Sequence, residues 1–208
     1  MNKNHLQKSA YLSPNERNFI LNKNILLGEK NDKTSLHHSW LKKRLLADGI
    51  QAEVLDMPNP LEPRLEDWLD TLFLYQHSLH ENTYLVAHSL GCPAILRFLE
   101  RTQLREQLGG IILVSGFAKS LSNLKMLDEF TEGSFDDQKI IRSAKHRAVI
   151  ASKNDQIVPF AWSKDLAQQI DAAFYEVQHG GHFLENEGFT SLPIVHDILT
   201  SYFSKETR

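Results

Sequence analysis

Cysteine is all but missing from this 208-residue chain: Cys92 stands alone. A single thiol closes no intramolecular disulfide, which fits a reducing compartment. Long apolar runs are missing too. No stretch reaches the roughly 18 apolar residues that a membrane-spanning helix needs. Residues 1–13 are polar and lack the apolar centre of a secretory leader. Neither sign of charge dominates. With 23 basic and 26 acidic residues the net charge is −3, which gives no reason to expect nucleic acid or an anionic membrane as a partner. What is present is ordinary globular composition, 41 % hydrophobic and 24 % charged. The length suits one α/β domain and is short for two. The expectation is a cytoplasmic protein with a poorly ordered polar extension over 1–18 and a single domain over 19–208.

Apolar patterning predicts alternating strands and helices. Asn24 to Leu27 is a short strand ended by Gly28, and Trp40, Leu41, Leu45 and Leu46 fall at helical spacing before Gly49. Gln51 to Leu55 is a strand stopped by Met57-Pro58-Asn59-Pro60, where two prolines forbid further ladder bonding. Leu65 to Tyr75 is an amphipathic helix, Thr83 to Ala87 a strand, and Leu90 to Glu100 a helix. Gly110 to Ser115 is a strand, followed by a polar connection over 116–144 with one or two short helices, such as Asn123 to Phe130. Then come strand Arg147 to Ser152, helix Ala161 to Ile170, strand Ala173 to Val177 and helix Leu192 to Phe203. Most of these strands are continuous apolar runs, the mark of strands buried on both faces of a parallel sheet. The predicted fold is therefore α/β: a doubly wound, mostly parallel sheet of about six strands with helices on both faces. Chemistry in such a sheet sits beyond the carboxyl ends of the strands.

Three residues meet that positional requirement. In Leu85-Val86-Ala87-His88-Ser89-Leu90-Gly91, Ser89 stands between a strand and a helix with small neighbours at Ala87 and Gly91. This is the nucleophile-elbow pattern of α/β-hydrolases, with Ala87 in place of the first glycine. A serine there needs a base, and the base needs an orienting carboxylate. Asp155 follows the Arg147–Ser152 strand, and His182 follows the next strand in Gln178-His179-Gly180-Gly181-His182-Phe183. Each alone has an ordinary explanation, since Ser89 and Asp155 suit helix N-caps and His182 a loop histidine. Together, in the order serine, acid, histidine and each just after a strand, they indicate a catalytic triad. Leu90 N–H, at the start of the following helix, is the expected first oxyanion donor. His88 is expected to shape the pocket, and Cys92 to be a small buried packing residue. His37 and His38 read as an exposed pair near a helix start, and Trp40 and Trp68 as packing residues. His179 and His182 have metal-like spacing but no Cys or Asp cluster beside them, so no metal is expected.

On these residues the chain resembles the small lidless serine hydrolases of the retinoblastoma-binding-protein-nine type, the bacterial YdeN-like hydrolases among them. The resemblance runs from about Trp40 to Lys205. Trp40-Leu41-Lys42-Lys43-Arg44-Leu45, Met57-Pro58-Asn59-Pro60, the elbow, Asp155-Gln156-Ile157-Val158-Pro159 and Gly180-Gly181-His182-Phe183 carry it. It implies an α/β-hydrolase without a large cap domain and a triad on Ser89, Asp155 and His182. In that family the first strand ends in His-Gly and an aromatic residue, and this loop lends the second oxyanion amide. Here the stretch reads Leu27-Gly28-Glu29, which points to Glu29 N–H as the second donor.

The expected function is hydrolysis of a small carboxylic ester, or an amide or thioester, through an acyl-Ser89 intermediate without metal or organic cofactor. Met57 with its loop and the 116–144 connection are expected to wall the pocket, leaving a shallow site for short acyl chains. The expected partner is a small-molecule ester, with no nucleic acid and no membrane, and a monomer is favoured. Two other readings stand beside it. One is a catalytically weak or inactive homologue serving as a protein-binding module, motivated by Leu27 and Glu29; the other is acyl transfer to an acceptor other than water.

Overall fold

The computed structural model describes residues 24–28, 36–122 and 124–206. Residues 1–18 and Glu29 lie outside the described residues. Among the described residues six strands form one sheet: β1 (Asn24–Gly28), β2 (Glu53–Asp56), β3 (Tyr84–His88), β4 (Leu108–Val114), β5 (Ala144–Ser152) and β6 (Ala173–Val177). Their order is β2-β1-β3-β4-β5-β6, and every neighbouring pair is parallel. The helices are α1 (Leu36–Ala47), α2 (Leu65–Phe73), α3 (Gly91–Arg101), α4 (Asp128–Thr131), α5 (Asp137–Ser143), α6 (Phe160–Gln169) and α7 (Pro193–Glu206). Among the described residues no insertion forms a cap, because the β4–β5 connection carries only a 3-10 turn at Lys125–Leu127 and the short α4 and α5. Nor is any described helix long and apolar enough to cross a membrane.

The period of two in a strand sorts the core into two layers. Leu85, Ala87, Ile111, Leu113 and Val149 point to one face and pack against α2, α3, α5 and α6. Tyr84, Val86, Ile112, Val114, Ala148 and Ile150 point to the other and pack with Leu41 and Leu45 of α1 and with Val195, Ile198 and Leu199 of α7. Continuous apolar runs are thus required, since both faces of the central strands are covered. Helix α3 is buried from Gly91 to Leu99, an uncommon degree of enclosure for a helix and the reason its entry point is rigid. Removing one of its leucines to alanine costs about 2–5 kcal/mol on the usual scale for buried side chains.

The sequence places β4 and β5 correctly but starts them late. β4 begins at Leu108, and β5 at Ala144, directly after α5. Helix α1 begins at Leu36, several residues before the apolar pattern becomes clear. That early start corrects the reading of His38 as exposed. It falls on the sheet-facing side of α1, 3 % exposed, with its ring 6.2 Å from that of His88. Trp68 is fully buried and donates its indole N–H to Pro58 O at 2.8 Å, and Trp40 packs against the α1–α7 layer.

The chain steps from β1 out to β2, then returns across β1 to begin β3. Helices α1 and α3, which follow β1 and β3, therefore go to opposite faces. The region beyond the carboxyl ends of β1 and β3, where the strand order reverses, is where open α/β sheets bind ligands. Ser89 lies at that switch point.

Candidate active site

The elbow is built from backbone. β3 ends at His88, α3 begins at Gly91, and Ser89 joins them with φ +52°, a left-handed conformation that few non-glycine residues adopt. Ser89 N–H donates to Val114 O at 2.9 Å, and Ser89 O accepts from Cys92 N–H at 2.9 Å. The turn is thereby fixed to β4 on one side and to α3 on the other. Leu90 lies at the N-terminus of α3, where the amides of a helix have no acceptor within it.

The three residues separated in sequence meet here. His182 Nε2 lies 2.8 Å from Ser89 Oγ, and His182 Nδ1 lies 2.9 Å from Asp155 Oδ2 and 3.1 Å from Oδ1. The side chains of His182 and Asp155 are 4 % and 2 % exposed, so this relay runs in a region of low effective dielectric, where each link is stronger than in water. With Nδ1–H donated to Asp155, the lone pair of Nε2 faces the serine hydroxyl, the tautomer a general base requires. Both ring nitrogens of His182 are thus engaged within the site. Among the described residues no group of three His, Cys, Asp or Glu side chains is arranged to hold a metal ion.

Asp155 is held from four directions. Oδ1 accepts Ile157 N–H at 2.8 Å and Val158 N–H at 2.9 Å; Oδ2 accepts Ser115 Oγ–H at 2.8 Å as well as the histidine. Burial pushes the carboxyl up, but the hydrogen bond and charge of His182 and the two backbone donors outweigh it and hold Asp155 below the usual carboxylate range. It therefore stays ionised at neutral pH. Ser115 was not foreseen as a site residue. It is fully buried at the end of β4 with φ +48°. The available signal was a hydroxyl residue directly after an apolar strand adjacent to the elbow strand.

Both residues expected at the pocket, Met57 and His88, are buried. Met57 is 1 % exposed and belongs to the core layer beneath α2 and α3. It packs within that layer under its loop. His88 is 4 % exposed and donates Nε2–H to His182 O at 2.8 Å. By the alternation of β3 it points to the α1 side of the sheet, so it holds the histidine loop and leaves substrate contact to others. Cys92 is fully buried with Sγ 3.4 Å from Val114 O. Burial pushes its thiol far up, which makes it an inert packing residue. The β2–α2 loop does meet the β4–β5 connection, through Leu65 N–H donating to Glu129 Oε1 at 2.7 Å and Trp68 stacked edge-on to Phe130 at 5.3 Å.

The profile described as "Serine hydrolase" matches residues 24–201. The chain belongs to the serine hydrolase family. YdeN of Bacillus subtilis (strain 168) is 81 % identical over 184 residues, which is 88 % of this chain and 97 % of that protein. Serine hydrolase RBBP9 of Rattus norvegicus is 27 % identical over 168 residues, 78 % of this chain and 86 % of the relative. The crystal structure of the B. subtilis ydeN gene product superposes with a TM-score of 0.84 at 78 % identity, covering 88 % of this chain and 98 % of that one. Family membership supports serine-dependent hydrolysis as the chemistry of the site.

Proposed function

We propose that this protein hydrolyses small carboxylic esters through an acyl-Ser89 intermediate. The observation that carries this reading is the continuous relay from Asp155 through His182 to Ser89, with links of 2.9 and 2.8 Å ending on an elbow serine.

In the first half-reaction His182 Nε2 takes the Ser89 Oγ proton as Oγ bonds to the ester carbonyl carbon. The carbonyl oxygen becomes an oxyanion, which Leu90 N–H binds, with Glu29 N–H as the expected second donor. The C–O bond to the alcohol then breaks as imidazolium gives its proton to the leaving alkoxide. Water enters, loses a proton to His182 and attacks the acyl carbon; Ser89 Oγ leaves and regains its proton. Asp155 stabilises the imidazolium in both halves and remains ionised throughout. Without a cap, the site suits short acyl chains.

The test is turnover of p-nitrophenyl acetate by the purified protein and by Ser89→Ala and His182→Ala. The expected result is a rate well above background that both substitutions remove, with the nitrophenol appearing before acetate because the acyl-enzyme accumulates. Equal rates in the parent and Ser89→Ala proteins would overturn the assignment. Adding alcohol acceptors during turnover separates hydrolysis from acyl transfer, since a transferase would divert the acetyl group to them.

A further inference from the structure

The loop that carries His182 is not held by sheet or helix. Gly181 and Phe183, on either side of the histidine, both have positive φ, +52° and +58°. Such a conformation at non-glycine residues persists only where the surroundings over-determine it. The backbone donors of the loop identify what holds it. Gly180 N–H goes to Ser152 Oγ at 2.6 Å, Gly181 N–H to Asn154 Oδ1 at 2.9 Å, and Phe183 N–H back to Gly180 O at 2.9 Å. The two remaining amides, His182 N–H and Leu184 N–H, converge on one oxygen, Glu187 Oε2, at 2.8 and 2.9 Å. The carbonyl of His182 accepts Nε2–H of the buried His88 at 2.8 Å. A β-carbon on Gly181 would collide with the Glu187 carboxylate, so the glycine is the space that lets the acid reach these amides.

We infer that Glu187 and His88 are positioning residues for the base: they clamp the two peptide groups of His182 and so fix where its imidazole stands between Ser89 and Asp155. The clamp draws on two separate elements. Glu187 belongs to the turn at 185–187 after the loop, and His88 to the end of β3 immediately before the nucleophile. The residue preceding Ser89 therefore ties the base's backbone to the strand that presents the nucleophile, and a shift of one carries the other. The inference rests on the ester-hydrolase reading for its kinetic consequences, and on geometry alone for its structural ones.

The experiment compares Glu187→Ala, Glu187→Asp, Glu187→Gln, His88→Ala and His88→Gln, each shown folded by circular dichroism. It reads kcat and KM on p-nitrophenyl acetate and the proton NMR signal of the His182 Nδ1–H held by Asp155. A misplacement near 1 Å costs about 10²-fold in rate, so Glu187→Ala and His88→Ala are expected to lower kcat by about that factor with KM little changed. Their Nδ1–H signal should broaden or vanish. Glutamine restores most of the rate at either position, because it offers a neutral acceptor in place of Glu187 and an N–H in place of His88 Nε2. That rescue distinguishes a hydrogen-bonded clamp from an effect of charge. Glu187→Asp keeps the charge but falls short of the amides, so the folded Asp variant should show the same loss of rate and signal, and it carries the test where the alanine variant does not fold. Folded Asp or Ala variants with parental kcat and an unchanged signal would overturn the clamp. If the parent itself shows no Ser89-dependent turnover, the hydrolase reading fails. The clamp is then decided by the signal, lost in the alanine variants or retained.

Discussion

Ser89 and His182, the proposed nucleophile and its base, are held by opposite means. Ser89 is fixed by main chain: a strand buried at every position, a helix buried from its first residue, and one φ in the left-handed region. His182 is fixed by side chains from four places, Ser152, Asn154, Glu187 and His88, acting on a loop that has no regular structure of its own. The first arrangement tolerates most side-chain changes and fails when the backbone is altered. The second fails one side chain at a time. Activity in this protein should therefore be more easily tuned, and more easily lost, on the histidine side.

The strongest way to break the histidine side is at its orienting carboxylate. Asp155→Asn is expected to lower kcat by about 10⁴-fold, because an amide does not hold Nδ1–H in place and the imidazole turns to the wrong tautomer. Steady-state kinetics on p-nitrophenyl acetate check this. The same substitution should change acid sensitivity. Asp155 lies below its unfolded value, so its contribution to stability is present above the ordinary Asp pKa of about 3.9 and is lost as pH falls further. Urea midpoints between pH 6 and pH 3 should fall less steeply in Asp155→Asn than in the parent protein.

Next in size is Gly181→Ala. It places a methyl group against the Glu187 carboxylate at a φ of +52°. A loss of about 10²-fold in kcat is expected from displacement of the base, read in the same assay. An equivalent methyl on the serine side is already present, at Ala87, and the elbow closes around it. A smaller effect separates the two oxygens of Asp155. Ser115→Ala removes one donor from Oδ2 while Oδ1 keeps its backbone donors. About 1 kcal/mol of stability should be lost, with kcat reduced a few-fold, as thermal unfolding and kinetics will report. The smallest effect is at Cys92. Buried in the rigid elbow helix with its thiol pushed up, it should leave the folded protein untouched by a thiol reagent and react fully after denaturation.

The contrast also explains what the sequence made legible. Ser89, Asp155 and His182 each follow a strand, and strands announce themselves by apolar runs, so order and placement sufficed to bring the three together. The helix start was legible too, and it places Leu90 at the N-terminus of α3. Glu187, Ser115 and the role of His88 were not legible in the same way. Each acts through a single hydrogen bond or a pair of them, and such contacts leave no periodicity in the chain. The burial of Met57 was not legible for a related reason: its side chain turns into the core beneath α2, a choice made by packing space. His38 was misjudged because α1 starts before its apolar stripe does, placing a polar residue in the first turn against the sheet.

The claim on which the rest depends is that Ser89 is the nucleophile. The direct measurement is to treat the folded protein with a fluorophosphonate and locate the adduct by tandem mass spectrometry. The account predicts one phosphonate per chain, on Ser89, with none formed in His182→Ala. A folded protein that carries no adduct, or carries it on another residue, would contradict it.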